Sequence, residues 1–466
     1  MMQFGKGTRF RLFPQAQREF AEPELVYVSP AAGTIGPGPC DAVMVTVDAL
    51  GKRPYAPPDY GPPYHGECGP IALPDMNGHF DHIAVDDSAF FAAHLYGAAR
   101  FALDVWEKYL GRRVVWYHAE TYPMLELIPL IDWDNAQSGP GFLETGARRN
   151  RAGEAQLFCL NFDIVAHEIG HAVLFSEVGV PDLDRLTPQF LAFHESFADI
   201  AALLAAMHFD SVIGHVLART RGNLYAANML NRFGEMSDTE QIRVADNMTT
   251  MAEVAGLRLG SDGEWIDPAG KRRNAHHLAQ PLTGAIFDCL VDLFQDGLAA
   301  RGLIEPSYDA RGWTRDEVET RMAALDTALG EKFTQFEALF REALIDARDM
   351  MGAVIATVIL GVAPDDLSFA GVAGLIVAAA GQAGIAHPAA LAENFRWRGI
   401  EPGSAAPVAA PRVEKRLENG RLPRTAPYAQ KVAALQSARH NAGTQRGGAM
   451  LRVQRMVRHD HRSHAP

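Results

Sequence analysis

Two histidines and a glutamate in the segment 163–171, His167, Glu168 and His171, have the types and spacing of a metal site. The segment lies in an apolar run of helical character, and a separation of four residues is just over one helical turn. Both imidazoles therefore project from one face of the helix and can reach a single metal ion. The alternative is that these residues lie on an ordinary solvent-exposed helix face. A further ligand is needed to decide between a metal site and such a face.

A second apolar helix, 191–204, carries two carboxylates four residues apart, Glu195 and Asp199. Buried carboxylates are costly unless they are paired, hydrogen-bonded or bound to a cation. A zinc ion held by His167, His171 and Glu195 would provide that compensation and leave a fourth position open for water. Asp199 could then accept the second N–H of a zinc-bound histidine and fix its tautomer. The spacing thus predicts a Zn²⁺ cofactor.

Glu168 follows His167 on the same helix, so it points towards the open coordination position without binding the metal. There it can take a proton from the zinc-activated water, whose pKa the metal lowers towards neutrality, and pass it to a leaving amine. These residues therefore predict amide hydrolysis with Glu168 as the general base.

The same residues resemble the thermolysin-like gluzincin metallopeptidases. The sequence DIVAHEIGHAV at 163–173 is followed, 24 positions after His171, by the ExxxD pair of Glu195 and Asp199. The resemblance implies the ligand set already described, with Asp199 as the partner of His167. It also implies an α+β fold, in which an N-terminal lobe of strands and helix and a mostly helical C-terminal lobe hold the zinc between them. The implied activity is that of a zinc-dependent endopeptidase.

Further expectations come from this resemblance alone. An edge strand following Asn135 and Ala136 would hydrogen-bond the backbone of a peptide or protein substrate. The chain departs from the family in having no tyrosine between His171 and Glu195, where a residue that stabilises the transition state usually lies. The acidic residues of the family's calcium sites are also missing, so calcium is not predicted.

The candidate hydrogen-bond donors to the transition-state oxyanion are His276 and His277, which lie just ahead of a helix expected to begin near Pro281. In the family, a histidine with this role precedes a helix whose start resembles the segment 283–286. The choice between the two histidines is open, with His276 favoured because it is farther from the helix. Both could instead lie in an ordinary polar loop.

The elements that position these residues follow from periodicity and from turn residues. The first half of the chain mixes strands and helices, and the second half is mostly helical, so we predict an α+β class. Strands are predicted at 25–28, 43–47, 113–118 and 141–145. Helices are predicted at 86–110, 164–176, 189–208, from about 281, after a capping box at 314–317, and at 331–352, 366–380 and 387–396.

Composition divides the chain into four predicted parts. They are a Gly/Pro-rich extension with short strands (1–85), an α+β lobe with the HExxH helix (86–180), a helical lobe (181–402) and a flexible basic tail (403–466). Residues 401–466 hold 12 Lys and Arg against 4 Asp and Glu, a net charge of +8, whereas the whole chain has a net charge of -13. The three histidines near the end of the tail, from His459 onward, are read as solvated.

This acidity argues against nucleic acid as a partner. The segment 351–386 is interrupted by Pro364, Asp365 and Asp366, so we expect two buried helices there and no membrane span. A secretory signal is not visible, and cytoplasmic residence is the default expectation. Four widely spaced cysteines predict ordinary thiols. The sequence does not predict the oligomeric state.

Other interpretations remain open. A gluzincin-type aminopeptidase would share the same zinc ligands and base. A zinc-binding scaffold without turnover is possible too, although such a site does not need Glu168. A metal-binding loop could be suggested by His79 and His82, but no third ligand follows at a recognisable spacing. A surface turn is the preferred interpretation of this segment. Substrate preference cannot be predicted, because its pockets are assembled from distant residues.

Overall fold

The computed structural model has a mixed α+β fold, as the sequence predicts. It describes residues 7–404 except 16–19, 58, 150–152, 154, 225–231, 234–242, 245–247, 260–264, 271, 274, 306 and 308–314. Residues 405–466, which include nearly all of the predicted basic tail, lie outside the described residues. The predicted divisions at 85, 180 and 402 stay predictions.

The helices dominate from the middle of the chain onward. They are α1 (Ala89–Leu110), α2 (Phe162–Val178), α3 (Pro188–Ala206), α4 (Asp210–Thr220), α5 (Met251–Val254), α6 (Ala275–Ala300), α7 (Arg315–Gly361), α8 (Phe369–Gln382) and α9 (Pro388–Arg396). Short 3₁₀ turns at Phe158–Leu160 and Leu183–Arg185 lead into α2 and α3.

The strands form small sheets. They are β1 (Gly7–Leu12), β2 (Glu24–Ala31), β3 (Met44–Thr46), β4 (Leu125–Ile128), β5 (Ala136–Gly139), β6 (Phe142–Thr145), β7 (Ala147–Arg149), β8 (Ala155–Leu157), β9 (Arg232–Phe233), β10 (Arg243–Val244), β11 (Arg258–Leu259), β12 (Trp265–Ile266) and β13 (Arg272–Arg273). The largest sheet has the order β3-β4-β6-β5. In it β3, β4 and β6 are parallel, and β5 is an antiparallel edge strand.

The two faces of this sheet pack against different parts of the chain, because successive side chains of a strand point to opposite faces. Leu125, Leu127 and Leu143 join the main core, to which α1, α2 and α3 contribute. Ile128 and Phe142 point the other way and join a smaller cluster that contains residues from the segment 45–64. The N-terminal part of the chain thus covers the sheet face opposite the helices.

The helices α2 and α3 pack closely, and α6 packs on α3. At Gly170 on α2 the approach is so close that a Cβ atom would lie 3.0 Å from the Ala198 Cα atom and 3.0 Å from the Ala201 Cβ atom of α3. This glycine lies between the two histidines of the motif, and Ala198 lies between Glu195 and Asp199. Small residues therefore set the spacing of the two helices that carry the predicted site.

The predicted strand at 113–118 is wrong, because the segment is an irregular loop followed by a turn. Its alternating burial, with Val115 exposed between buried Val114 and Trp116, imitates a strand. However, the Val114 N–H donates to the Glu107 carboxylate at 3.0 Å, and the Trp116 indole donates to the Val43 carbonyl at 2.8 Å. Hydrogen bonds that involve side chains thus replace the backbone hydrogen bonds of a β-sheet.

Two helix predictions also need correction. The helix expected to begin near Pro281 begins at Ala275, and Pro281 lies inside it. Proline suits a first turn but does not require one, and the buried Leu278 and Ala279 extend the apolar face of α6 in front of it. The helix predicted at 331–352 is part of α7, which is interrupted at Phe336 by non-helical dihedral angles. Residue 314 of the predicted capping box lies outside the described residues.

Among the described residues, no single helix is long and apolar enough to cross a membrane, although the sharply bent pair of α3 and α4 passes the same test together. The four cysteines are free thiols, as predicted. His79 lies in a turn, where its Nδ1 atom accepts a hydrogen bond from the Arg9 N–H at 3.2 Å.

Candidate metal centre

The helix α2 brings its two histidines together as their spacing predicts. His167 and His171 face each other with ring centroids 4.6 Å apart, and their Nε2 atoms are separated by 3.1 Å. His167 is buried, and the side chain of His171 is 14% exposed. Two imidazole nitrogens that project from one helix face towards the same point can bind a metal ion that remains accessible to solvent.

The helix α3 adds a carboxylate at the same point. Glu195 Oε2 lies 3.5 Å from His167 Nε2 and 3.6 Å from His171 Nε2. A tetrahedral zinc ion with bonds of about 2.0–2.2 Å separates its ligand atoms by about 3.3–3.5 Å. The three measured separations bracket this value, so one zinc ion fits between these atoms. We call these three residues the histidine–glutamate cluster; in the part of the chain that the structure describes, no other group of His, Cys, Asp or Glu side chains converges in this way.

The carboxylate of this cluster has an unsatisfied oxygen. Glu195 Oε2 is buried and, despite contacts of 2.8–3.6 Å with three imidazoles, takes part in no well-formed hydrogen bond. Burial opposes ionisation of this group, but the neighbouring imidazoles, His171 foremost, hold the pKa of Glu195 well below its usual range. A cation can satisfy a buried carboxylate oxygen that makes no well-formed hydrogen bond. The donor set therefore fits zinc.

Asp199, one turn beyond Glu195, contacts the other nitrogen of a cluster histidine. Its Oδ1 atom lies 3.0 Å from His167 Nδ1, and its side chain is 1% exposed. A carboxylate at Nδ1 keeps the proton on that atom and leaves Nε2 as the electron-pair donor. The structure thus places Asp199 where it can fix the tautomer of His167.

Glu168 is 7% exposed and lies beside His167 on α2. Among the residues that the structure describes, none forms a hydrogen bond or an ion pair with its carboxylate. This differs from Glu195, which is surrounded by imidazoles. Among the described residues, the Glu168 carboxylate is thus not held by another side chain.

The structure distinguishes the two candidate histidines of α6. His276 Nδ1 lies 2.8 Å from Glu195 Oε2, and the His276 ring centroid is 6.2 Å from that of His167. His277 is exposed to solvent. Both residues lie in the first turn of α6 and not in a loop ahead of it. The predicted reason for favouring His276, its distance from the helix, is therefore wrong. His276 is nevertheless the histidine that contacts the cluster.

The predicted substrate-binding residues lie at the start of the edge strand. Ala136 is the first residue of β5 and packs against Phe158 and Ile164, the latter in the first turn of α2. Asn135 precedes it, is exposed, and accepts a backbone hydrogen bond from Gly146. The edge strand is thus anchored to the N-terminal end of the HExxH helix.

His194 is a residue that sequence reasoning missed. Its ring is nearly parallel to that of His171, with centroids 5.8 Å apart, and it packs against Phe175 and Phe190. Both ring nitrogens are buried without hydrogen-bond partners in the described part of the chain. Burial, assisted by the charge of His171, lowers the pKa of His194 to about 3, so this ring is neutral. The sequence feature that could have identified His194 is its position inside an apolar helical run, directly before Glu195.

The site stands on this geometry without support from known relatives, because no protein-family model and no curated protein matches the chain.

Proposed function

We propose that this protein is a zinc-dependent peptidase. The observation that carries the proposal is the convergence of His167 Nε2, His171 Nε2 and Glu195 Oε2 at the separations of a zinc tetrahedron. We also propose a thermolysin-like arrangement, in which the strands and helices up to α2 form one lobe and the helices from α3 onward form the other. The cluster then lies where α2 and α3 meet.

A zinc ion bound by these residues would supply Lewis acidity, which makes a water molecule acidic and polarises a peptide carbonyl. The Glu168 carboxylate accepts the proton of the attacking water and delivers it to the nitrogen of the leaving amine. Asp199 keeps the Nδ1 proton on His167, so that its Nε2 atom stays a ligand. The contact with His167 supports the role of Asp199, and the place of Glu168 beside His167 on α2 supports that of the base.

Negative charge develops on the substrate carbonyl oxygen during the attack, and a donor directed at it is typically worth a few kcal/mol. His276 is the candidate donor. Its Nδ1 atom faces Glu195, so the Nε2 atom is the one that we propose for the substrate oxygen. His276 also partly offsets the missing tyrosine between His171 and Glu195, since it reaches the cluster from α6.

The substrate is a peptide or protein. The edge strand β5 lies beside the N-terminal end of α2, and an extended peptide can pair with its outer side by backbone hydrogen bonds. Such pairing on both sides of the cleaved bond favours an endopeptidase.

The test combines metal replacement with removal of the base. Protein freed of metal should regain hydrolysis of an unstructured protein substrate on addition of one equivalent of zinc, and a chelator should abolish it. Glu168→Gln should retain zinc and a native melting temperature and lose hydrolysis by roughly a thousandfold or more. The exposed carboxylate of Glu120 offers a matched control, because Glu120→Gln makes the same chemical change away from the cluster.

Two results would contradict the proposal. Hydrolysis that persists in Glu168→Gln would show that another mechanism operates. Zinc binding without hydrolysis of any peptide in the unaltered protein would favour the zinc-binding scaffold.

A further inference from the structure

The edge strand β5 is too short to be held by its ladder alone. It has four residues, pairs on one side with β6, and is half-buried throughout. Isolated two-stranded pairing of this length is marginal in water. If β5 is to bind a substrate backbone in a fixed register, other contacts must hold it in place.

Ala136 provides one such contact at the N-terminal end of α2, and further contacts come from the face of the sheet opposite the helices. Glu144 on β6 is fully buried there, and Gln137 on β5 lies directly opposite it in the ladder. Gln137 Nε2 donates to Glu144 Oε1 at 2.6 Å and to the Tyr55 carbonyl at 3.1 Å. The side chain of Gln137 thus joins β5 to β6 and to the segment 45–64, which we call the N-terminal segment.

The N-terminal segment is in turn fixed to Glu144. Lys52, whose side chain is fully buried, forms an ion pair with Glu144 Oε2 and donates to the Arg53 carbonyl at 3.0 Å. Its Nζ atom also lies 3.2 Å from the centroid of the Tyr55 ring, and the Tyr55 N–H donates to Glu144 Oε1 at 2.8 Å. Glu144 therefore accepts hydrogen bonds from Lys52, Tyr55 and Gln137.

A second buried carboxylate holds the same segment farther along. Glu126 on β4 accepts a hydrogen bond from the Tyr55 hydroxyl at 2.6 Å and from the Tyr64 N–H at 3.0 Å. Both carboxylates are satisfied within the protein, so this group has no need of a metal ion or ligand. Its consequence is mechanical, because Gln137 joins β5 to the two neighbouring parts of this group, β6 and Tyr55.

We propose that Lys52, Glu144 and Gln137 form a positioning network that holds β5 ready to pair with an extended peptide. We call these three residues the edge network. The inference rests on the proposed function and deepens it. The network supports backbone pairing over several residues, so the preferred substrate is an extended peptide of at least about four residues and not a dipeptide.

Gln137→Ala is the informative variant. It removes the hydrogen bonds from Gln137 to Glu144 and to the Tyr55 carbonyl, and it leaves Glu144 with Lys52 and the Tyr55 N–H. The measurements are amide hydrogen exchange of residues 136–139, together with kcat and KM for an eight-residue peptide, on zinc-loaded protein. We expect exchange at β5 to accelerate about tenfold or more and KM to rise at least about fivefold, with kcat within about twofold and zinc content unchanged.

Gln382→Ala is the matched control, since Gln382 is an exposed glutamine at the end of α8. It should alter neither exchange at β5 nor KM. In an active enzyme, unchanged exchange in Gln137→Ala would overturn the positioning role, and faster exchange with an unchanged KM would overturn the role of β5 in substrate binding. Absence of hydrolysis in the unaltered protein is a different outcome, which overturns the proposed function itself.

Discussion

The histidine–glutamate cluster and the edge network each contain a carboxylate with a buried oxygen, but these oxygens have different partners. Glu144 meets an ammonium group, a backbone N–H and a side-chain amide, so its charge is neutralised by the chain itself. Glu195 meets only imidazoles, and its Oε2 atom makes no well-formed hydrogen bond. The comparison teaches that an incomplete set of partners, more than burial of charge, distinguishes a binding site from a structural ion pair.

The largest expected effect is on metal content. His171→Ala removes one of three converging donors, so purified protein should lose its stoichiometric zinc and all measurable peptide hydrolysis. Metal analysis by mass spectrometry measures the first and a peptide assay the second. Gln137→Ala in the edge network should retain full zinc content. Full zinc content in His171→Ala would refute the proposed ligand set, and His277→Ala serves as the exposed-histidine control.

The edge network should respond in stability and not in metal content. Lys52→Met leaves Glu144 buried without its cation, which costs about 3–5 kcal/mol in the free energy of unfolding. The double variant Lys52→Met/Glu144→Gln removes the unpaired charge, so it should recover a large part of that loss. Denaturant unfolding followed by circular dichroism measures both. A Lys52→Met protein as stable as the unaltered one would show that the ion pair is not the main support of this region.

An intermediate effect is expected at the border of the histidine–glutamate cluster. His276→Ala should lower kcat by about a hundredfold, or about 2.7 kcal/mol in transition-state stabilisation, with zinc retained and KM little changed. His277→Ala should leave kcat within about twofold, because its side chain is exposed. If His276→Ala instead loses zinc, the 2.8 Å contact with Glu195 serves metal binding more than the transition state. A decrease of less than about tenfold would place the donor elsewhere.

A change in pH dependence, and not in activity or metal content, is expected at His94, a histidine that burial keeps neutral. His94 accepts a hydrogen bond from the Phe13 N–H at 2.8 Å, and burial lowers its pKa from 6.5 to about 3. The unfolded chain therefore binds a proton below pH 6.5 that the folded chain does not, so stability falls as pH decreases from 6.5 towards 3. The slope is about 1.4 kcal/mol per pH unit for this residue.

His94→Gln keeps a polar side chain that does not titrate, so its unfolding free energy should depend less steeply on pH. Chemical denaturation between pH 4 and 7 measures the slopes. Equal slopes in the two proteins would show that His94 does not govern the acid sensitivity.

The cluster was more predictable than its surroundings because helical spacing is a local property. The positions of His167 and His171 follow from one helical turn, and the apolar setting of Glu195 and Asp199 indicated a partner. The edge network was not predictable, because Lys52 and Glu144 are 92 residues apart and nothing local in either segment indicates the other. Tertiary contacts of this kind decide which polar residues become buried.

Errors in the predicted elements have the same origin. The segment 113–118 has strand-like alternation, yet a carboxylate from α1 and a carbonyl near β3 take its hydrogen bonds. Because proline suits a first helical turn, the sequence predicts a start of α6 near Pro281, whereas the helix begins six residues earlier, at Ala275. His194 escaped notice because a histidine in an apolar run has no characteristic spacing of its own.

The close approach of α2 and α3 at Gly170 has a consequence for the choice of ion. A methyl group there would meet Ala198 and Ala201 at 3.0 Å, so Gly170→Ala must move the helices apart by a few tenths of an ångström. Because His167 and His171 move with one helix and Glu195 with the other, the gap between them would widen. Ions with longer bonds than zinc, such as Mn²⁺ or Cd²⁺, would then be better matched. Selectivity among metals would thus depend on a residue that has no side chain and touches no ion.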